Sequence, residues 1–263
     1  MPDGSHLAPN VNAAPSESGC MAAIEASGLT KTYGDVRAVD GLSLSVERGE
    51  LFGFLGPNGA GKTTTIELLT GQTRPDDGRA EVLGADPAAD PLGVRERVGI
   101  LPERHAPPSY LTPREFFEFV ARVRDLDDDA VAERAAEWAE RLGFASKLDT
   151  LAADLSRGQQ QKVMVTQSFL HDPEAVFIDE PLANLDPLVQ ERVKRALAEH
   201  TEAGNAALLS THNIEVAAEL CDRVGIVTDG EMVTTRQMDG AGAESLMDTF
   251  LEAVGEDARD TPR

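Results

Sequence analysis

Short apolar runs recur along this chain, each bounded by turn residues: LFGFL at 51–55, VGIL at 98–101, AVFID at 175–179, AALLS at 206–210 and VGIVT at 224–228. Each is too short for a helix and apolar on both faces, the pattern of strands covered on two sides. Segments of helical periodicity separate most of them, which predicts an α/β architecture around a mainly parallel sheet. Two other segments read differently. LSLSV at 42–46 alternates and ends at the turn ERGE, and RAEVLG at 79–84 follows the turn PDDG. They are predicted as antiparallel strands of an N-terminal β subdomain flanking the parallel core.

From about 103 to 157 no strand-like run occurs, so this stretch is predicted to be a helical insertion. Its first helix carries a start signal: Thr112 as N-cap, Pro113 at the first helical position and Glu115 to complete a capping box. A second helix, near 128–143, sets Val131, Ala135, Trp138 and Leu142 at helical spacing, which assigns Trp138 to core packing. The ends lack periodicity. Residues 1–22 are expected to be a disordered tail, with Met21 a plausible true start, and 251–263 a loose polar tail, leaving 23–250 as the folded unit.

At 263 residues and 41% hydrophobic, the chain is long enough for one sizeable core. Its apolar runs fall well short of the ~20 residues that cross a bilayer, so any membrane role is expected to come through a partner. Cys20 and Cys221 are the two cysteines, one in a tail and one in an apolar segment, and a structural disulfide is not expected. That fits a reducing cytosol. ESGC at 17–20 has no apolar stretch before it of the kind a signal peptide needs.

The formal net charge of −22 disfavours nucleic acid as a partner, because phosphate binding is carried by Lys and Arg. Lysine occurs only at Lys31, Lys62, Lys147, Lys162 and Lys194, while acidic residues crowd DLDDDAVAERAAEWAER at 125–141. Such a surface suits concentrated salt, and the charge is read as a mark of habitat.

The chemistry starts at GPNGAGKT, residues 56–63, which matches G-x-x-x-x-G-K-[ST] between an apolar strand and a helix beginning TTTIELL. Backbone N–H groups of Gly56, Pro57's successors Asn58, Gly59, Ala60 and Gly61, and then Thr64 are expected to wrap a β-phosphate. Lys62 supplies a point charge for the β- and γ-oxygens, and Thr63 a hydroxyl for Mg²⁺. Asp179 closes the strand AVFID, where the acidic partner of such a metal belongs, and Glu180 follows as the candidate to polarise an attacking water. His212 follows another strand and emerges at the same sheet edge. His6, His105, His171 and His200 are expected to be solvated.

A second anion site is written into LSRGQQQK: Ser156 followed by the free N–H groups of a helix start. In order, GPNGAGKTT, LSRGQQQK, AVFIDEP, ANLDP and STH resemble the ATP-binding cassette (ABC) ATPases, from about Ile24 to Phe250. The resemblance implies a P-loop ATPase fold and a head-to-tail pair of cassettes sandwiching two ATP molecules, with Mg²⁺ as cofactor. On that reading Ser156, Gly158 and Gln159 face the nucleotide of a second subunit, identical or paralogous. Tyr33 in KTYG would stack on adenine, Asp186 would belong to the loop crossing the dimer interface, and His212 would contact the γ-phosphate. Two positions depart from the family pattern. Glu103 in ILPER stands where glutamine is common, keeping oxygen ligands for Mg²⁺ but losing an amide donor, and Arg157 replaces the first signature glycine.

STHNIEVAAELCDRVGIVTDGEMV at 210–233 resembles the single-domain ATPases of export systems, which implies a membrane permease partner docked on the helical insertion. The alternative is a non-transport ABC ATPase acting on ribosomes or chromosomes. Those resemble long coiled-coil arms or two cassettes in one chain, and this sequence has neither.

Overall fold

The structure, a computed structural model, describes residues 22–103, 106–180, 182, 185–240 and 242–255. The expected N-terminal tail, with His6 and Cys20, lies outside these residues apart from Ala22; His105 and 256–263 lie outside them too.

The chain opens with two long strands, β1 (Ala22–Tyr33) and β2 (Val36–Glu47), followed by β3 (Leu51–Leu55), helix α1 (Lys62–Leu69), β4 (Asp77–Val82), α2 (Pro91–Arg97) and β5 (Val98–Leu101). The insertion contributes α3 (Pro113–Val123) and α4 (Asp128–Leu142) and leads into α5 (Arg157–Phe169). Then come β6 (Ala175–Asp179), α6 (Pro187–Glu202), β7 (Ala206–Thr211), α7 (Ile214–Leu220), β8 (Arg223–Thr228), β9 (Glu231–Gln237) and α8 (Ala243–Gly255). The order β5-β6-β7-β3-β8-β9 makes the main sheet, parallel except for β9, and β2-β1-β4 makes a separate antiparallel sheet.

Every residue of β3, β6 and β7 is buried. Successive side chains alternate between two cores, as the pleat requires. Leu51, Leu55, Val176, Ile178, Ala207 and Leu209 face the helical side, whereas Phe52, Phe54, Phe177 and Leu208 face α1 and the three-stranded sheet. The continuous apolar runs were therefore a reliable guide to the central strands.

The insertion is helical, as its composition predicts. Thr112 and Glu115 form the full capping box at the start of α3, and α4 stops at Gly143 in the left-handed region with φ 70°. Trp138 is half-buried and stacks on Phe169 of α5 with ring centroids 4.7 Å apart, pinning the insertion to the core helices.

Several expectations are corrected. LSLSV and RAEVLG are pieces of longer or shifted strands, Val36–Glu47 and Asp77–Val82, and β1 and β9 are strands that the pattern did not reveal. Ala22 already belongs to β1. Residues 251–255 are helical rather than loose, because Phe250 and Ala253 pack against the core and carry α8 past residue 250. His171 and His200 are half-buried, not solvated, each with one ring nitrogen fully shielded from solvent. His171 meets the Val98 carbonyl at 2.9 Å, and His200 sits edge-on to Phe169.

Candidate active site

The loop 56–61 joins the buried strand β3 to α1, so its glycines stand at the carboxyl edge of the parallel sheet, where open α/β folds present ligands. Two of them have no substitute. Gly61 has φ 95°, and a Cβ there would lie 2.3 Å from the Ala38 carbonyl; at Gly56 one would lie 2.3 Å from the Val227 carbonyl. Only a bare backbone fits this turn.

A cavity of about 400 Å³ opens above the loop, lined by Ala38, Asn58, Gly59, Gly61, Lys62, Thr63, Thr64, Glu103, Asp179 and Glu180. Lys62 is 7% exposed and donates to the carbonyls of Gly56 at 2.7 Å and Pro57 at 3.0 Å, folding its ammonium back across the cradle. Burial holds its pKa below the usual lysine range, against the pull of Glu180, Asp179 and Glu103. Thr63 donates its hydroxyl to Asp179 at 2.7 Å, linking the first turn of α1 to the end of β6. Burial raises the pKa of Asp179 above the usual carboxylate range, with the Thr63 hydrogen bond opposing it. A buried cation and buried carboxylate on one cavity, each displaced toward neutrality by desolvation, are what a site looks like that expects charges from a ligand.

Glu180 follows β6 with φ 52°, left-handed backbone unusual for a residue with a side chain. Its N–H donates to the Ser210 carbonyl at 3.0 Å. Its carboxylate is gripped from the next strand: the His212 N–H donates to Oε1 at 2.8 Å, His212 Nδ1 lies 2.5 Å from the same oxygen, and the Thr211 hydroxyl donates to Oε2 at 3.2 Å. Asp179 pairs with Ser210 in the parallel register of β6 and β7, and this register sets the ends of the two strands side by side.

These residues fit a magnesium–nucleoside triphosphate. Thr63, Asp179 and Glu103 share the cavity and offer hard oxygen atoms from one hydroxyl and two carboxylates, within what proteins use to hold Mg²⁺ when phosphates complete the shell. The ammonium of Lys62 and a glycine turn that admits no Cβ suit phosphate oxygens.

The other expected residues lie elsewhere. Tyr33 ends β1, is 47% exposed and has Lys31 Nζ 5.5 Å from its ring centroid, but Ala38 rather than Tyr33 lines the cavity. Ser156 caps α5: its hydroxyl accepts from Gln159 N–H at 3.3 Å and its own N–H donates to Gln159 Oε1 at 2.9 Å. Gly158 lies in the first turn of that helix, and Asp186 caps α6 by accepting from Val189 N–H at 3.1 Å. None of Tyr33, Ser156, Gly158, Gln159 and Asp186 lines the cavity in its own chain. Ala38 and Thr211 are contributors that sequence reasoning missed; a hydroxyl beside His212 was the available signal for the second.

A family model described as ABC transporter matches residues 39–183. The chain is 36% identical over 211 residues to the daunorubicin/doxorubicin resistance ATP-binding protein of Streptomyces peucetius, covering 80% of this chain and 64% of that protein. It thus spans less than two thirds of that relative's length. Among solved structures, one described as an ATP binding subunit of an ABC transporter superposes with a TM-score of 0.80 at 28% identity, covering 86% of this chain and 98% of the other. A cassette in a dimeric post-hydrolysis state bound to ADP and Pi gives a TM-score of 0.76 over 82% of this chain and 99% of the other, and at 22% identity it speaks for the fold alone. The strand-to-helix glycine turn and the matched segment that contains it lead to one conclusion: this chain belongs to the ABC transporter family, with the fold of its ATP-binding cassettes.

Proposed function

We propose that the chain is the ATP-hydrolysing subunit of an ABC exporter, closing with a second cassette on two ATP molecules and driving cargo through a separate membrane permease. The observation that carries the reading is the hydrogen bond from Thr63 to Asp179 on the same cavity as Lys62 and Glu180. The drug-resistance role of the Streptomyces relative supports export, and the dimeric post-hydrolysis cassette supports pairing. Among the described residues no helix is long and apolar enough to cross a membrane, so attachment at the inner face of the membrane is assigned to the permease.

Bound Mg²⁺ supplies positive charge to the β- and γ-phosphate oxygens. The chain's own residues do the rest. Thr63 and Asp179 would hold the metal, with Glu103 as a further oxygen ligand, and Lys62 exchanges the carbonyls of Gly56 and Pro57 for phosphate oxygens. The backbone of Asn58, Gly59, Ala60 and Gly61 and the N-terminus of α1 at Thr64 orient the phosphates. Glu180 takes the proton of the attacking water. His212, whose side chain is 61% exposed, turns from Glu180 to the γ-phosphate. Tyr33 stacks on adenine. Ser156, Gly158 and Gln159 complete the partner's site, and Asp186 lies in the segment crossing between the cassettes.

The test is Glu180→Gln, which keeps the cradle and removes the base. Mg·ATP binding is expected to persist while turnover falls by roughly 10²–10⁴, the range general-base catalysis supplies. Turnover near the wild-type rate would sink the assignment. Purification from detergent-solubilised membranes is expected to bring down a polytopic companion; recovery with ribosomes instead would favour the non-transport alternative.

A further inference from the structure

Thr211 is the last residue of β7 and is 2% exposed. Its hydroxyl accepts the Asn213 N–H at 3.1 Å and donates to Glu180 Oε2 at 3.2 Å. A threonine hydroxyl carries one proton. With the Asn213 N–H occupying one lone pair, that proton is directed at Glu180. The opposite carboxylate oxygen, Oε1, is held by His212.

The two grips differ in kind. The imidazole on Oε1 belongs to a largely exposed side chain beyond the end of the strand. The hydroxyl on Oε2 belongs to a residue of β7, and β7 is hydrogen-bonded to β6 on one side and β3 on the other. The imidazole can swing away; the hydroxyl has nowhere to go. The Glu180 backbone is fixed through its bond to Ser210, but its side-chain torsions are not. Without Thr211 the carboxylate would be held, once the imidazole departs, only at Oε1 by the His212 N–H, and could pivot about that single bond.

We infer that Thr211 is a positioning residue for Glu180: it pins Oε2 and thereby leaves Oε1 as the oxygen that meets the attacking water. The inference rests on the reading of Glu180 as the base. It makes the His212 imidazole a removable cover of Oε1 while the His212 N–H stays on that oxygen's other lone pair, and it explains why the hydroxyl at 211 is buried against a carboxylate rather than against a backbone carbonyl of its own strand.

The test compares Thr211→Val, which keeps the shape and loses the hydroxyl, with Thr211→Ser, which keeps the hydroxyl. In the full chain with Mg·ATP, T211V is expected to lower kcat by about ten- to a hundredfold, the effect of losing one hydrogen bond to a charged group, with KM for ATP changed by less than about twofold. T211S is expected to restore kcat. A second readout needs no nucleotide. Amide exchange at His212, followed by NMR in the ligand-free protein, is expected to quicken about tenfold in T211V and stay at the wild-type rate in T211S, because the His212 N–H is protected by the carboxylate that Thr211 holds. Should T211V fail to fold, Thr211→Ala is read the same way. Single-turnover rates in the Glu180→Gln background complete the set, where T211V is expected to cost nothing further.

Wild-type kcat with wild-type His212 exchange in T211V would overturn the inference. So would an equal loss of rate from T211V in both backgrounds, since Thr211 would then act by another route. If Glu180→Gln itself turned over normally, the base reading would fall and the inference with it; an inactive Glu180→Gln beside a normal T211V removes only Thr211.

Discussion

On the proposed pairing of cassettes, Ser156 is a residue that serves a site it does not touch in its own chain. Within its own chain its hydrogen bonds close on Gln159, a complete capping box, so the α5 start is satisfied without any ligand. Replacing it therefore costs about 1 kcal/mol of cap energy and leaves the cradle of the same chain intact. Ser156→Arg is expected to abolish hydrolysis while the monomer binds ATP as before, and Lys62→Ala to lose ATP binding. Mixing the two should restore activity, because one heterodimer site then has both a good cradle and a good signature. Equal loss of monomeric ATP affinity in both variants would refute the trans geometry. At this scale the sequence is most informative about placement where the candidate residues are contiguous: Asn58, Gly59, Gly61, Lys62 and Thr63, and the Asp179–Glu180 pair, meet on one cavity because neighbours in the chain are neighbours at the sheet edge. Ala38 enters from the start of β2, and Thr211 contacts a carboxylate 31 residues away, and no local spacing announces either.

Among the elements, the strands that were legible are those whose surroundings are simple. β6 and β7 are buried throughout and read as apolar runs. β1 makes register shifts against both of its neighbours and contains Gly28 at φ 63°, so its alternation breaks before a pattern can be recognised. β9 is an edge strand whose positions alternate between exposed and half-buried, leaving EMVTTRQ little hydrophobic contrast. The half-buried histidines are a related lesson, since polar flanking sequence hides a packing role. His171, just beyond α5, is pushed down to about pH 4 mainly by burial, with Arg124 adding to the shift and the bond to the Val98 carbonyl opposing it. The native state thus binds fewer protons than the unfolded chain, whose histidine titrates near 6.5. Stability from this group is full above about pH 6.5 and drains away as pH falls toward 4. Urea denaturation between those limits is expected to show a shallower pH dependence in His171→Gln than in wild type. An unchanged slope would mean that His171 is reached by water and titrates normally.

The whole molecule poses a problem of charge. Pairing two cassettes doubles a formal charge of −22, and the nucleotides between them add more. Part of that charge is arrayed on the insertion, where Asp125, Asp127, Asp128, Asp129, Glu133, Glu137 and Glu140 are all exposed. At about 0.1 M salt the Debye length is about 10 Å, so carboxylates well away from the contact still repel the partner; at about 1 M it contracts to about 3 Å and only the groups at the contact matter. Salt also weakens the attraction between Lys62 and phosphate, an opposing effect. Lys62 is buried and therefore screened far less than surface carboxylates, so the balance favours closure. ATP-driven dimerisation of the Glu180→Gln variant, measured by light scattering at saturating Mg·ATP, is accordingly expected to rise with KCl toward molar concentrations. The wild-type ATPase should rise in parallel, most steeply at low protein concentration where pairing limits the rate. Cassettes of milder charge are expected to gain little under the same conditions. Equal dimer fractions at about 0.1 M and about 2 M KCl would show that the acidic surface does not govern pairing, and would refute salt adaptation as its explanation while leaving the ATPase reading intact.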